Sequence, residues 1–269
     1  AEVVVLAVPS HGLRDVLEAA RPFVPAGVPV LSLSKGLEPG SLLRMTEVVG
    51  EVLGAGAPSP VGVLTGPNIA GEVLAGKPTA SVVAMEDAGC AEDLQRLFMT
   101  GTFRVYTNDD VVGCEIAGVL KNVVAIAAGI AQGLGCGDNA CAALITRGLA
   151  EITRLGVAIG GNLLSFLGLA GIGDLVVTCT SGASRNRHVG ERLGRGDALS
   201  HILSEMHMVA EGVRSTESVL ALARRVGVEM PIAEQVDAVL AARTAPVDAV
   251  RNLMLRQAKA ELDGIRLDR

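Results

Sequence analysis

The sequence predicts an α/β doubly wound sheet followed by an all-α domain. Three observations carry this expectation. Continuous apolar runs alternate with helix-spaced segments in the first part of the chain. The alternation stops after Asn108, beyond which apolar residues recur only at helical spacing. The length of 269 residues corresponds to about two domains at roughly 150 residues each. The expected partition is 1–108 and 109–269.

The elements follow in order. Val3–Val8 is an unbroken apolar run, as a strand covered on both faces should be. Pro9 and Ser10 end it, and Gly12–Arg21 has Leu13, Val16 and Leu17 at helical spacing. Val28–Leu33 is the second strand; Ser34-Lys35-Gly36 follows it, then a helix over Ser41–Leu53. Val61–Thr65 is the third strand and runs into Gly66-Pro67-Asn68. Thr79–Met85 and Phe103–Thr107 read as further strands, with a helix over Ala91–Met99 between them.

Past Asn108, Val112–Leu134 is apolar on nearly every side, which predicts a central helix. Gly129 and Gly133 would admit a close neighbour there. Asn139–Ile159 is the next helix, and shorter ones are expected near Asn186–Leu193, Ser215–Val226, Pro231–Ala242 and Val247–Leu262.

Composition excludes several classes of function. Hydrophobic residues make up 49% and charged residues 19%, which is a folded rather than a disordered composition. Aromatics are 2%, so stacking on rings is not a main mode of ligand recognition. A net charge of −6 argues against a nucleic-acid partner, while leaving room for a local cationic pocket. Five cysteines without a CxxC pair read as reduced thiols of a cytoplasmic protein. Four histidines without ligand spacing predict no metal site. Two long uncharged runs, Val52–Gly71 and Leu155–Gly173, are interrupted by prolines and glycines, so no membrane span is expected from them. No basic segment precedes Val3, so no secretory signal is expected.

Polar residues stand out where they interrupt apolar surroundings. Lys35 follows a buried strand, and carboxyl ends of strands are where open α/β sheets bind ligands; a solvated loop lysine is the plainer reading. Gly66 and Asn68 hold the equivalent place after the next strand, where Asn68 could equally be a helix N-cap. Lys121 is the only charge between Ile116 and Gly137, so it is either a functional ammonium or a lysine extending to a domain edge. Asp174 ends a glycine turn and could cap a helix or pair with Lys121. Ser184-Arg185-Asn186-Arg187 leads into a helix and could cradle phosphate or form a solvated face. Glu211 heads another helix, where a first-turn carboxylate is ordinary dipole chemistry.

No strand in the chain runs into G-x-G-x-x-G, the usual opening of a dinucleotide-binding sheet. The glycine-rich stretches Gly133–Gly137 and Gly171–Gly173 follow helical patterns instead.

A set of strings, taken in order, resembles a known family: VPSH (8–11), SKGLE (34–38), GPNIA (66–70), FRVY (103–106), VLKNVVAI (119–126), ALITRGLAEITRLG (143–156), GLAGIGDLVVTCTS (168–181), SRNR (184–187) and AEGVRST (210–216). Together they are similar to the bacterial type of NAD(P)-dependent glycerol-3-phosphate dehydrogenase, over essentially the whole chain. The resemblance implies a Rossmann-type domain, then a helical substrate domain. It also implies hydride transfer between NAD or NADP and dihydroxyacetone phosphate or sn-glycerol 3-phosphate, feeding glycerophospholipid synthesis, in a cytoplasmic homodimer.

By the same resemblance, Lys121 matches the catalytic proton donor and acceptor. Lys35, Gly66, Asn68, Asp174, Ser184, Arg185 and Asn186 match substrate contacts. Lys35, Ala70, Arg185, Val209 and Glu211 match cofactor contacts. Asn68 departs from the small hydroxyl residue common at its position, though an amide can also donate a hydrogen bond.

Elementary chemistry agrees with these roles. Hydride reduction of a ketone builds negative charge on its oxygen, and a lysine ammonium both stabilises that charge and supplies the proton. Two lysines at one site would lower each other's pKa, and Asp174 would oppose the shift.

At about 30 residues per βαβ unit, the resemblance leads us to expect roughly two further units, ~60–80 residues, before Ala1. They would carry G-x-G-x-x-G, so the chain as given is expected to bind cofactor poorly. Two alternatives remain open at this point: a non-catalytic helical dimerisation module, and a related dehydrogenase for another small acid.

Overall fold

A computed structural model describes residues 1–54, 59–206, 208–261 and 263–264. The chain divides into two compact units, Ala1–Val119 with Gly160–Asp174, and Leu120–Ile159 with the residues from Leu175 onward. The expected boundary at 108 falls within the first unit, which also holds residues 109–119 and 160–174.

The first unit is a five-stranded sheet with helices. Its elements are β1 (Val4–Leu6), α1 (Leu13–Ala20), β2 (Val30–Ser32), α2 (Met45–Leu53), β3 (Val61–Thr65), α3 (Ala70–Leu74), β4 (Thr79–Met85), α4 (Ala88–Phe98) and β5 (Phe103–Asn108). Strand order follows the chain, β1-β2-β3-β4-β5. β1, β2 and β3 run parallel, in register Val4 to Val30 to Val61.

β4 is antiparallel to β3, pairing Gly62 with Met85 and Thr65 with Val82, and β5 runs parallel to β4. The cause is the β3–β4 connection. A parallel return needs a crossover helix that covers the sheet, whereas α3 has five residues and none of them is buried. The carboxyl ends of β1, β2 and β3 therefore share one edge of the sheet, and the amino end of β4 lies beside them.

Apolar clusters hold the sheet, one of them joining Val63, Val82 and Ala84 to Val111, Cys114 and Ala170. Leu13 and Leu17 of α1 and Val48, Val49 and Val52 of α2 pack with Leu6 and Val30. Ala91 and Leu94 of α4 pack with Leu31, Leu64, Val83 and Val105. Val16, expected beside Leu13 and Leu17, is instead exposed. Asp87 caps α4, accepting the Cys90 N–H at 2.8 Å.

Helix α5 (Val111–Gly133) begins in the first unit and continues in the second. The second unit further contains α6 (Asp138–Ala158), most of α7 (Asp174–Thr180), α8 (Arg185–Gly194), α9 (Leu199–Glu205), α10 (Glu211–Arg225), α11 (Pro231–Leu240) and α12 (Pro246–Met254). Helices α3, α7 and α9 are short elements that periodicity did not reveal, because five to seven residues span at most two turns. Between α6 and α7 the chain makes a 3₁₀ turn at Leu163–Leu167 and a π turn at Leu169–Gly173. Among the described residues the last helix ends at Met254, short of the expected Leu262; Leu262 itself, like His207, lies outside the described residues.

The glycines expected to admit a neighbour to α5 do so. A Cβ on Gly129 would strike the Arg187 carbonyl, and one on Gly190 of α8 would strike the Ile126 carbonyl. The two helices thus cross backbone to backbone. By length and composition α5 could cross a membrane, yet 94% of its most apolar stretch is buried within the protein, as in the core helix of a globular fold.

Candidate active site

In the first unit the site is built on the shared carboxyl edge of β1–β3. The Leu33 N–H donates to the Leu6 carbonyl at 2.8 Å, and the Ser34 hydroxyl donates to the Val8 carbonyl at 2.5 Å. The exit of β2 is thereby tied to that of β1, which fixes the start of the Lys35 loop. Lys35 Nζ lies 2.7 Å from Asp174 Oδ2, and Asp174 is 1% exposed. A carboxylate this deeply buried is costly without a cation, so the pair is mutually required. Asp174 reaches Lys35 from the end of the π turn ahead of α7, where a Cβ on Gly173 would stand 3.7 Å from Pro67 Cδ after β3.

Gly66 adopts φ +124°, and a Cβ there would press on the Ser81 backbone at 3.2 Å, so glycine is required. Asn68 does not cap α3, whose N-cap is Ile69. Its side-chain amide instead donates to Ser81 Oγ at 3.1 Å. The antiparallel β4 places Ser81 there. Thr65 Oγ1, at the end of β3, is the one buried side-chain polar atom among the described residues that lacks a hydrogen-bond partner. Ala70 is exposed at the start of α3.

In the second unit Lys121 is 7% exposed on α5, and its Nζ donates to Thr178 Oγ1 of α7 at 2.9 Å. The next residue starts an amide ladder. Asn122 Oδ1 accepts from Asn186 Nδ2 at 3.0 Å, and Asn186 Oδ1 accepts the Gly212 N–H at 2.9 Å. Helices α5, α8 and α10 are joined by it. Ser184 caps α8, accepting the Arg187 N–H at 3.3 Å. Arg185 is exposed at the first position of that helix, while Arg187 turns back to the Ser181 carbonyl at 2.9 Å and to Gln132. Val209 and Glu211 are half-buried at the start of α10.

Several participants escaped the sequence reading. Thr178 and Ser81 are small hydroxyl residues with no local signature. Glu115 is another matter: it is a buried charge in the same apolar helix as Lys121, one residue before the stretch in which Lys121 is alone. Its Oε1 accepts the Thr46 N–H at 3.0 Å, and its Oε2 accepts from the Thr46 hydroxyl at 2.6 Å and from Arg44 at 3.0 Å. Burial pushes the Glu115 carboxyl up, while Arg44 and Thr46 pull it back.

Comparison with known proteins decides the family. Residues 1–91 match the model of the NAD-dependent glycerol-3-phosphate dehydrogenase N-terminus, and residues 110–251 that of its C-terminus. The chain belongs to the NAD-dependent glycerol-3-phosphate dehydrogenase family. It is 55% identical over 254 residues to glycerol-3-phosphate dehydrogenase [NAD(P)+] 2 of Sphingopyxis alaskensis, covering 94% of this chain and 75% of that relative. Identity to glycerol-3-phosphate dehydrogenase [NAD(P)+] of Anaeromyxobacter dehalogenans is 53% over 262 residues, covering 97% and 79%. Among solved structures, glycerol-3-phosphate dehydrogenase from Coxiella burnetii superposes with a TM-score of 0.90 at 40% identity, covering 95% of this chain and 78% of that one.

An oxidoreductase of this glycerol-3-phosphate dehydrogenase family uses NAD or NADP. The half-buried Lys35 and Asn68, after β2 and β3, are polar groups at the carboxyl edge where open α/β sheets bind such cofactors. A pyrophosphate loop of the form G-x-G-x-x-G after a strand is not among the chain's residues.

Proposed function

We propose that this chain interconverts sn-glycerol 3-phosphate and dihydroxyacetone phosphate, with Lys121 as proton donor and acceptor at the reacting oxygen. One observation carries the reading: the Lys121 ammonium is buried on a rigid helix and aimed by the Thr178 hydroxyl at 2.9 Å. Charge developing on a ketone oxygen during reduction is best met by a preorganised cation that can also give up a proton. In the reverse direction the neutral amine takes the alcohol proton. The nicotinamide, when bound, supplies or accepts the hydride.

Lys35, Gly66, Asn68 and Asp174 are the proposed substrate contacts of the first unit. Asp174 holds Lys35 in place. Ser184, Arg185 and Asn186 are those of the second. There the exposed Arg185 guanidinium and the first-turn N–H groups of the ten-residue α8 suit a phosphate. Asn186 contributes through the one amide hydrogen that the ladder leaves over. Ala70, Val209 and Glu211, with Lys35 and Arg185, are the proposed cofactor contacts. The proposed division of labour is cofactor binding by 1–108 and substrate binding by 109–269.

A homodimer is supported by exposed apolar side chains at the end of the chain, with Val247, Met254 and Leu255 all more than half exposed. A cytoplasmic location is supported by five free cysteines. Lys121→Met in the enzyme is expected to lower turnover about 10²–10⁴-fold, the usual worth of a general acid, while the dissociation constant for NADH or NADPH stays the same. Retained turnover would remove Lys121 from the chemistry.

A further inference from the structure

We propose that Glu115 is a positioning residue for Lys35, acting as a clamp that fixes the loop carrying it. The β2–α2 connection, residues 33–44, holds Lys35 near its start. The loop is folded back on itself by an isolated bridge between Leu37 and Arg44, by the Glu38 N–H on the Leu43 carbonyl at 2.9 Å, and by the Leu42 N–H on the Glu38 carbonyl at 3.0 Å. Leu42 has φ 63°, a left-handed conformation that is unfavourable for a leucine. Something outside the loop must hold it in this shape.

Beyond the Ser34 bond to Val8 and the Lys35–Asp174 pair, two further external restraints act on the rest of the loop. Arg14 of α1 grips Glu38 through Nε at 2.6 Å and Nη2 at 2.9 Å. Glu115 of α5 grips the far end of the loop, taking the Thr46 N–H, the Thr46 hydroxyl and the Arg44 guanidinium on one buried carboxylate. Glu115 also supplies the start of α2 with an acceptor for one of its free N–H groups.

Position on α5 links this grip to Lys35. Gly118 lies one turn beyond Glu115 on the same face, about 4.5 Å along the axis at 1.5 Å per residue. The Lys35 stem crosses the helix there: its Cγ and Cδ lie 3.5 and 3.6 Å from where a Gly118 Cβ would stand. The loop therefore touches one helix face twice, leaving β2 across Gly118 and returning to Glu115. Between these contacts the path of the Lys35 stem is determined, and its Nζ arrives at Asp174.

The catalytic consequence rests on the proposed role of Lys35; the clamp itself does not. The chain has four lysines, Lys35, Lys77, Lys121 and Lys259, so competitive acetylation of the native protein with acetic anhydride, read by mass spectrometry, resolves each one. Lys77, 60% exposed, serves as the internal standard.

In Glu115→Gln the acetylation of Lys35 relative to Lys77 is expected to rise about threefold, the scale on which a modest ion pair protects an amine. Thr46→Val removes the hydroxyl, which donates to Glu115 and accepts from Arg44, but keeps the Thr46 N–H on Glu115, and is expected to move Lys35 the same way by less. A fall in Tm with Lys35 reactivity unchanged in both variants would make Glu115 merely structural and overturn the proposal. Raised Lys35 reactivity with unaltered kcat and KM for dihydroxyacetone phosphate would uphold the clamp and instead count against Lys35 as a site residue.

Discussion

Glu151 makes the stability of the second unit depend on pH in a calculable way. Helix α11 begins with Pro231, which has no N–H, after Met230, whose side chain offers no oxygen to cap it. Its first free donors are met from another helix. Glu151 of α6 accepts the Ile232 N–H at 2.8 Å and the Ala233 N–H at 3.4 Å.

Burial pushes the Glu151 carboxyl up from 4.5 to about 7, against the opposing pull of the two N–H donors and the Arg154 charge. The folded protein thus holds this proton more tightly than the unfolded chain does. Stability from the group is complete below about pH 4.5, falls as pH rises towards 7, and is gone above that. At about 1.36 kcal/mol per pH unit across that window, the loss is about 3 kcal/mol.

Glu151→Gln keeps one acceptor for α11 and cannot titrate. Urea unfolding of both proteins at pH 5 and pH 8 is the assay. The variant should be less stable at pH 5, by about 1 kcal/mol for the weakened second hydrogen bond, and more stable at pH 8 by roughly 1–2 kcal/mol, the remainder of the titration effect. Comparing the two proteins cancels every other titrating group. An equal stability difference at both pH values would refute the reasoning.

Other expectations concern the amide ladder and the thiols. Asn186→Ala leaves the buried Gly212 N–H without its acceptor, so unfolding free energy should fall by about 1–3 kcal/mol. Unchanged stability with a raised KM for dihydroxyacetone phosphate would instead make Asn186 purely a ligand contact. Cys114 is fully buried, and burial beside Asp110 and Asp109 pushes its thiol up to about 12. In the native protein at pH 8 a disulfide reagent should therefore consume the exposed Cys136 quickly and leave Cys114 untouched until denaturant is added. Prompt labelling of Cys114 would contradict its burial.

Much of the fold was legible because local pattern reports local conformation. The five strands and the long helices α5 and α6 appear where uninterrupted apolar runs or helical spacing predict them. Strand direction was not legible. Only the shortness and exposure of α3 turn β4 against β3, and a five-residue helix leaves no periodic trace. The candidate site was legible in its charged members, since Lys121 and Lys35 break apolar surroundings. Its neutral members were not: Thr178, Ser81 and Asn122 are ordinary in sequence and gain meaning only from the atoms they meet. Asn68 shows the limit from the other side, because local spacing offered an N-cap where the structure has a bond to the next strand.

The sequence by itself determined the element types, the balance of charge, the family resemblance and the lysines proposed for the site. Each of these follows from near neighbours along the chain or from strings of residues. Tertiary structure alone decided which groups are paired. Asp174 meets Lys35 across 139 residues, Glu115 meets Arg44 across 71, and Glu151 meets Ile232 across 81. The physical reason is desolvation: a charge becomes costly, and its partner obligatory, only once the rest of the chain has taken the water away.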